Sequence, residues 1–238
     1  MTNMAVTCTD VSKRYGNRMA LNGLTLEIPS GGIVGILGPN GSGKSTLFRT
    51  LMGITRPDSG NISVLGSVPG WETNAKIAYL PDRARWYADH TVRKALDWGS
   101  SLLPNFDRSR ALALAHEMNL DLGQSVNGMS RGTEARLMLI LCLARQVPLM
   151  ILDEPFFGID LISREKIIDA LVASATEQET TVLLSTHEIS DTESLFDYAV
   201  FLRAGRVERQ GNADSLRSQY GSMRDIMRNL FQEEVTSQ

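Results

Sequence analysis

The sequence is poor in cysteine and has no long apolar run. Its 238 residues include only two cysteines, Cys8 and Cys142, and neither belongs to a C-x-x-C pair, which argues against a thiolate metal site or a redox pair. We expect both thiols to be buried and reduced. The longest apolar run, residues 137–144, is far shorter than the roughly 20 residues that cross a bilayer. Any membrane role is therefore expected to come through another protein.

An excess of positive charge is also missing. The 24 Lys and Arg residues against 27 Asp and Glu residues give a net charge of −3, without the basic surface that duplex nucleic acid requires. The basic residues are scattered, so no polybasic segment for anionic lipid is present. The first residues lack the charged start and apolar core of a signal peptide. We expect a cytoplasmic protein with no nucleic-acid partner.

What is present is an alternation of strand and helix patterns. Short runs of apolar and β-branched residues predict strands at 5–9, 24–28, 33–37, 77–80, 149–152 and 181–185. Helical patterning predicts helices at 46–52, 93–103, 108–118, 131–145 and 163–177. Apolar strands that alternate with helices are typical of an α/β fold with a mainly parallel core sheet.

This order of elements predicts one domain over residues 1–238. Its core combines 1–83 with 147–222 and includes an antiparallel β portion, while 84–146 form an inserted helical subdomain and 223–238 a C-terminal helix and tail. The residues 236–238 are expected to be frayed. The C-terminal helix carries an apolar stripe that favours packing on its own domain, with a contact across a homodimer as the alternative. The stripe consists of Ile226, Met227, Leu230 and Phe231.

A phosphate-binding loop follows the apolar run 33–37. The motif G-x-x-x-x-G-K-[ST] is satisfied in full by Gly38, Pro39, Asn40, Gly41, Ser42, Gly43, Lys44, Ser45 and Thr46. Glycines allow backbone N–H groups to approach phosphate oxygens, and the N-terminus of the following helix favours the same anion. We expect Lys44 to reach the β- and γ-phosphates and Ser45 to ligate Mg²⁺.

Two carboxylates follow the apolar run 149–152. The end of this strand delivers Asp153 and Glu154 to the crevice where α/β folds bind ligands. Asp153 is suited to hold Mg²⁺ through its water shell, and Glu154 to orient or deprotonate an attacking water. An isolated pair could simply be solvated. Together with the lysine loop, however, the pair predicts a P-loop NTPase that hydrolyses ATP with Mg²⁺.

The segment Met-Ser-Arg-Gly-Thr at 129–133 resembles the L-S-G-G-Q signature of ABC ATPases. Ser130 can cap the helix that follows, and its hydroxyl, the Gly132 amide and the helix dipole all favour a γ-phosphate. In the ABC family this phosphate belongs to the nucleotide of the partner subunit. The resemblance therefore implies a head-to-tail dimer, of two identical or two different subunits, with two ATP molecules at its interface.

Other positions resemble further marks of the ABC family. Tyr15 matches the aromatic residue that stacks on adenine, Asp160 matches the D-loop, and His187 matches the switch histidine that contacts the γ-phosphate. His90 and His116 have no such match, and we expect structural roles for them. The resemblance extends over most of the chain and implies a membrane-spanning partner subunit.

Two motifs depart from the family pattern, at three positions. Asp82 stands where the family usually has glutamine; it can accept hydrogen bonds from Mg²⁺-bound water or ligate the ion, but it cannot donate. Arg131 and Thr133 replace a glycine and a glutamine of the signature. Because Ser130 and Gly132 retain the positions that face phosphate, we expect a working signature.

The acidic residue at 82, the segment 104–107 and the segment 183–188 together resemble a bacterial subgroup associated with export of antibiotics or envelope-active compounds. Cargo and direction remain open, as do two alternatives: a soluble mechanical ATPase, and an ATPase that drives a membrane protein without transport. Aromatic and apolar residues just after position 82 either receive the membrane partner or fill the subdomain core. They are Trp86, Tyr87, Val92 and Trp98.

Overall fold

A six-stranded sheet forms the centre of the molecule. The computed structural model describes residues 3–82, 85–187, 189 and 192–231, so the segment 236–238 lies outside the described residues. The strand order is β5-β6-β7-β3-β8-β9, and all neighbours are parallel except β8 and β9. The strands are β3 (Ile33–Leu37), β5 (Ile77–Leu80), β6 (Leu149–Asp153), β7 (Thr181–Thr186), β8 (Tyr198–Arg203) and β9 (Arg206–Asn212).

A smaller antiparallel sheet covers one face, with the order β2-β1-β4. It consists of β1 (Met4–Tyr15), β2 (Arg18–Pro29) and β4 (Ser59–Val64). The predicted strands 5–9 and 24–28 cover only part of β1 and β2, whose buried portions extend to Val11 and Leu21. Beyond these residues both strands continue as a partly exposed ribbon towards Tyr15 and Arg18, where pairing rather than burial defines the strand.

Eight α-helices and one short 3-10 helix (Glu193–Leu195) belong to the described residues. The α-helices are α1 (Lys44–Leu51), α2 (Trp71–Asn74), α3 (Val92–Leu102), α4 (Arg108–Glu117), α5 (Arg131–Leu143), α6 (Leu161–Glu177), α7 (Ala213–Tyr220) and α8 (Met223–Phe231). Polar side chains cap many of the N-termini, as expected for Ser, Thr, Asp and Asn. The caps that accept a backbone N–H are Thr91, Asp107, Ser130, Asp160 and Asn212. None of the described helices is long and apolar enough to span a bilayer.

Two hydrophobic clusters hold these layers together. One lies between the two sheets and includes the fully buried Phe48 of α1. The other joins the opposite face of the central sheet to α3, α4 and α5, the helical subdomain inserted between β5 and β6. Cys8 belongs to the first cluster and Cys142 to the second, and burial raises the pKa of each thiol to about 12. Both cysteines are therefore buried, unpaired thiols, as predicted.

The helical subdomain is tied to the central sheet by a buried arginine. Arg145 is 6% exposed and donates to the carbonyl oxygens of Pro104 at 3.1 Å, Ala75 at 2.8 Å and Ile77. These acceptors come from the α3–α4 loop and from both sides of the start of β5. The guanidinium thus joins the end of α5 to the strand that leads to Asp82.

The C-terminal helix packs on its own domain, as predicted. Met223 and Ile226 of α8 are buried, and Met227, Leu230 and Phe231 are partly buried against the second cluster. Arg203 of β8 also donates to the carbonyl oxygen of Leu230 at 2.8 Å.

Candidate functional site

At two positions in the loop between β3 and α1, only glycine fits the backbone conformation and the space available. At Gly38 φ is +156°, and a Cβ there would lie 2.3 Å from the carbonyl oxygen of Leu202. At Gly43 φ is +116°, and a Cβ would lie 2.6 Å from the carbonyl oxygen of Ala20. Backbone packs against both glycines, so the loop is held in one shape.

The N-terminus of α1 opens into a cavity of about 610 Å³. Its N-cap, Gly43, supplies no side-chain cap, and the first turn carries no acidic residue. The first amides of the helix therefore lack a side-chain partner and carry the positive end of the helix dipole. The hydroxyl of Ser42 is buried and also has no hydrogen-bond partner. Such a cradle suits a phosphate group.

Lys44 is 6% exposed and points along the loop. Its Nζ donates to the carbonyl oxygen of Gly38 at 2.8 Å and lies 3.9 Å from Oε1 of Glu154. Burial lowers the pKa of Lys44, while the charges of Glu154, Asp153 and Asp82 oppose that shift. The ammonium is thus a desolvated positive charge at the edge of the cradle.

Asp153 ends β6 and is 2% exposed. Its Oδ1 accepts a hydrogen bond from the hydroxyl of Ser185 on β7 at 2.6 Å, whereas its Oδ2 is buried without a partner. An unpaired buried carboxylate oxygen is costly unless a ligand satisfies it. Beside a phosphate cradle, this oxygen fits the water shell of a divalent cation.

Glu154 follows Asp153 in a left-handed conformation, with φ of +52°. Its backbone N–H donates to the carbonyl oxygen of Ser185 at 3.2 Å and to the Ser185 hydroxyl at 3.0 Å. Its Oε2 lies 2.9 Å from Nδ1 of His187. Burial raises the pKa of Glu154, and the nearby His187 and Lys44 oppose that shift. A strained backbone therefore directs a half-buried carboxylate into the cavity, between two basic groups.

The rim of the cavity contains one predicted residue from the small sheet and two arginines that sequence reasoning missed. Tyr15 is 47% exposed, and its hydroxyl lies 3.4 Å from Oγ1 of Thr55. Arg18 donates to the carbonyl oxygen of Gly41 at 3.0 Å, and both Arg18 and Arg49 line the cavity. The proximity of Arg18 to Tyr15 across the β1–β2 turn is a signal that could have identified it. Arg49 carries no comparable motif.

The structure brings most of the predicted residues to this one cavity. Six residues of the loop, from Asn40 to Thr46 without Ser42, line it together with Tyr15, Asp82, Asp153, Glu154 and His187. Gly38, Pro39 and Ser42 belong to the loop but not to the lining, and Ser130, Gly132 and Asp160 lie elsewhere in the chain and do not line the cavity. Ser130 caps α5 and Asp160 caps α6, where hydrogen bonds from Ser163 lower the pKa of Asp160.

A second cleft, of about 410 Å³, joins this cavity to the helical subdomain. Asp82, Asp153 and Glu154 line both spaces, and Arg131 and Glu134 of α5 line only the second. Oε1 of Glu134 also accepts the backbone N–H of Trp86 at 3.3 Å. The segment after β5 is therefore in contact with both the loop cavity and α5.

An aromatic cluster lies just beyond that segment. Trp86 donates its indole N–H to Nδ1 of the buried His90 at 3.0 Å, and the His90 ring lies 4.9 Å from that of Trp98. Tyr87 contacts Trp98 at 5.7 Å between ring centroids. Tyr87 and Trp98 are 59% and 39% exposed, whereas Val92 is fully buried. Of the four residues predicted here, Val92 therefore belongs to the core, and the aromatic residues reach the surface.

The fold and the site together define an α/β nucleotide-binding domain, and comparison with known proteins identifies its family. Residues 21–157 match the family model described as ABC transporter. The daunorubicin resistance ATP-binding protein DrrA3 of Streptomyces coeruleorubidus is 35% identical over 233 residues, which cover 94% of this chain and 73% of that protein. The Nod factor export ATP-binding protein I of Rhizobium sp. (strain N33) is 31% identical, with 91% of this chain and 73% of that protein covered.

The solved structure of an ATP-binding subunit of an ABC transporter superposes with a TM-score of 0.84 at 28% identity, covering 95% of this chain and 99% of that one. The chain belongs to the ABC transporter family. It is an ATP-binding subunit of an ABC transporter and an ATPase, as the sequence predicted.

Proposed function

We propose that this subunit hydrolyses ATP through the loop cavity with Mg²⁺, as half of a head-to-tail dimer that drives export through a membrane-spanning partner. The observation that carries the proposal is the arrangement of Glu154 between His187 at 2.9 Å and Lys44 at 3.9 Å, beside an uncapped helix N-terminus. This arrangement places three groups in one cavity: a carboxylate that can act on water, an ammonium that can bind phosphate, and the His187 ring as a second polar contact.

Within each site, the loop amides and Lys44 bind the β- and γ-phosphates, and Tyr15 stacks on the adenine. Glu154 orients the attacking water or accepts its proton, and His187 holds the Glu154 carboxylate and contacts the γ-phosphate. Ser45, Asp153 and Asp82 would hold Mg²⁺ directly or through its water, and the ion would offset charge on the phosphates when bound. The unpaired Oδ2 of Asp153 supports this role.

The second half of each site comes from the partner subunit. Ser130, Gly132 and Asp160 lie outside the cavity of their own chain, but Ser130 and Asp160 are exposed and each begins a helix. Several large apolar side chains beside Asp160 are exposed as well, which supports an interface there; they are Phe157, Leu161 and Ile162. Two such subunits, identical or different, can each present these groups to the nucleotide of the other.

Docking on the membrane partner is assigned to the exposed edge of the aromatic cluster. Tyr87 and Trp98 provide large apolar surface next to the segment that begins at Asp82, so the same segment can sense nucleotide and contact the partner. Export as the direction rests on relatives whose names refer to drug resistance and Nod factor export. The subunit then lies on the cytoplasmic face of the membrane through its partner.

The catalytic assignment is tested with Glu154→Gln, which keeps size and hydrogen bonding but removes the basic oxygen. We expect phosphate release to fall at least about 100-fold, with ATP binding retained. With ATP and Mg²⁺ the variant should elute as a dimer on gel filtration, whereas Lys44→Ala should stay monomeric. Wild-type turnover in Glu154→Gln would show that Glu154 is not the base.

The partner assignment is tested by tagging the chain in its native cell, solubilising membranes gently and identifying what co-purifies. A multi-span membrane protein in stoichiometric amount is the expected result. Recovery from the cytosol alone, without such a protein, would contradict the transporter partner while leaving the nucleotide site untouched.

A further inference from the structure

The hydroxyl of Thr133 occupies a position where the family signature has a glutamine side chain. We propose that Thr133 is a positioning residue that turns the Ser130 hydroxyl outward as a hydrogen-bond donor to the phosphate of the partner's nucleotide. The inference rests on the proposed role of Ser130 across the dimer interface. It explains how a signature with threonine in place of glutamine can fulfil that role.

Three side chains form a continuous hydrogen-bonded chain at the start of α5. Oγ of Ser130 accepts the backbone N–H of Thr133 at 3.2 Å and lies 2.8 Å from Oγ1 of Thr133. Nη2 of Arg136 donates to the same Oγ1 at 3.3 Å. Arg136 is itself held in place, because Nη1 donates to the carbonyl oxygen of Met118 at 2.8 Å and to Oγ of Ser163 at 3.3 Å.

The direction of the bonds along this chain determines what Ser130 offers to a ligand. A serine oxygen has two lone pairs and one proton. When the Thr133 hydroxyl donates to Ser130, the N–H and O–H of Thr133 occupy both lone pairs, and the serine proton alone remains for an external group. Since a guanidinium can only donate, Arg136 fills an acceptor site on Thr133 and favours this direction by polarising the chain.

The opposite direction would make Ser130 a poor phosphate ligand. If the serine hydroxyl donated to Thr133, only an oxygen lone pair would face the phosphate, and two acceptors repel. The surrounding backbone also has little freedom to adjust, because a Cβ at Gly132 would lie 2.5 Å from the carbonyl oxygen of Gly158. The start of α5 therefore packs directly against the loop that leads to Asp160.

The test compares Thr133→Val, which keeps the shape but lacks the hydroxyl, with Thr133→Ser, which keeps the hydroxyl. We expect Thr133→Val to lower kcat of the full-length chain about fivefold, the equivalent of one ordinary hydrogen bond. Thr133→Ser should retain at least half of the wild-type kcat. The Kd for ATP, measured on the monomer with a fluorescent analogue, should stay unchanged in both, because the loop cavity of the same chain is not altered.

A parallel Ser130→Ala variant separates the possible failures. If Ser130→Ala leaves kcat unchanged, the proposed function of Ser130 is wrong. If Ser130→Ala lowers kcat but Thr133→Val does not, or if Thr133→Ser fails to restore it, the positioning role of Thr133 is overturned. If the melting temperature shows that Thr133→Val is unfolded, Thr133→Ala takes its place, because alanine also lacks the hydroxyl.

Thr176→Val is the matched control. Thr176 lies on the exposed side of α6, and its hydroxyl donates to carbonyl oxygens of its own helix, those of Val172 at 2.9 Å and Ala173 at 3.5 Å. The same substitution there removes a helical threonine hydroxyl away from the site and should leave kcat at the wild-type value. A fall equal to that of Thr133→Val would show that the effect is not specific to the chain through Ser130.

Discussion

Glu154 illustrates how the site combines opposing effects in a single side chain. Its carboxylate is half-buried, which favours the neutral form, and it lies between Lys44 and His187, which favour the ionised form. Burial has the larger effect, so the pKa of Glu154 rises. A carboxylate with a raised pKa is a stronger proton acceptor than an ordinary surface glutamate, as a general base for water requires.

The raised pKa of Glu154 predicts a pH-dependent stability difference between the wild type and Glu154→Gln. Because the pKa in the folded chain exceeds that in the unfolded chain, the folded state binds more protons. The contribution of Glu154 to stability is therefore present below the unfolded pKa and is lost as pH rises through the folded pKa. Glutamine does not titrate, so we expect the melting temperature of the variant to exceed that of the wild type at pH 8 and the gap to shrink towards pH 5. A gap independent of pH would contradict the raised pKa.

Asp82 is the second residue with a specific consequence, because it lines both the loop cavity and the cleft towards α5. We expect Asp82→Ala to lower partner-stimulated turnover about tenfold while ATP binding persists, since Lys44 and the loop amides remain. The effect is measured as the rate of phosphate release by the isolated subunit and by its complex with the membrane subunit. Asp82→Asn, which keeps the shape but removes the charge, shows whether charge is required. Unchanged turnover in both variants would show that Asp82 has no role in ATP hydrolysis.

At the scale of elements, the sequence predicted the strands that are buried throughout, β3, β6 and β7. The runs 33–37 and 149–152 are apolar, and both form central parallel strands, because a strand covered on two faces has no polar positions. The helices that were predicted are wrong mainly at their ends, whereas α2 and α7 and the strands β8 and β9 were not predicted. The predicted helix 163–177 in fact begins at Leu161, because Asp160 provides the cap by accepting the N–H of Ser163.

What could not be predicted depends on contacts between distant segments. The exposed ends of β1 and β2 have no apolar pattern of their own and exist because they pair with each other. Arg18 and Arg49 reach the cavity only once the small sheet and α1 are packed together. The residues found through their motifs, namely the loop, Asp153, Glu154 and His187, do meet at one cavity. They meet because each follows a strand, and the ends of neighbouring parallel strands lie at one edge of the sheet.

The phosphate loop allows a prediction that separates backbone strain from lack of space. Gly43 and Gly66 both have positive φ, of +116° and +78°, but only at Gly43 would a Cβ meet another atom, at 2.6 Å. We expect Gly66→Ala to lower stability by about 1 kcal/mol and to leave ATP binding intact. Gly43→Ala should lower stability further and abolish ATP binding, because the loop cannot keep its shape. Chemical denaturation and nucleotide titration measure the two effects. Normal ATP binding by Gly43→Ala would disprove the steric argument.

At the scale of the whole molecule, the loop cavity and the aromatic cluster are connected through short stretches of chain. The segment after β5 runs from Asp82, at the loop cavity, to the aromatic cluster, and Glu134 of α5 accepts the N–H of Trp86 on the way. Movement of α5 relative to the central sheet would therefore shift the aromatic surface together with the signature. This connection is a physical route by which ATP binding can reach a membrane subunit.

The proposed route from the loop cavity to the membrane subunit is tested by changing an exposed residue of the aromatic cluster. Trp98 is 39% exposed and contacts His90, whereas Trp71 is 82% exposed on α2 and does not belong to the cluster. We expect Trp98→Ala to reduce co-purification of the membrane subunit at least about fivefold, since it removes an aromatic anchor, and to leave the basal turnover of the isolated chain within twofold. Trp71→Ala removes a more exposed tryptophan and should change neither quantity. If the membrane subunit stays bound to Trp98→Ala with stimulation intact, the cluster is only part of the subdomain core. Loss of binding in both variants would instead extend the interface to α2.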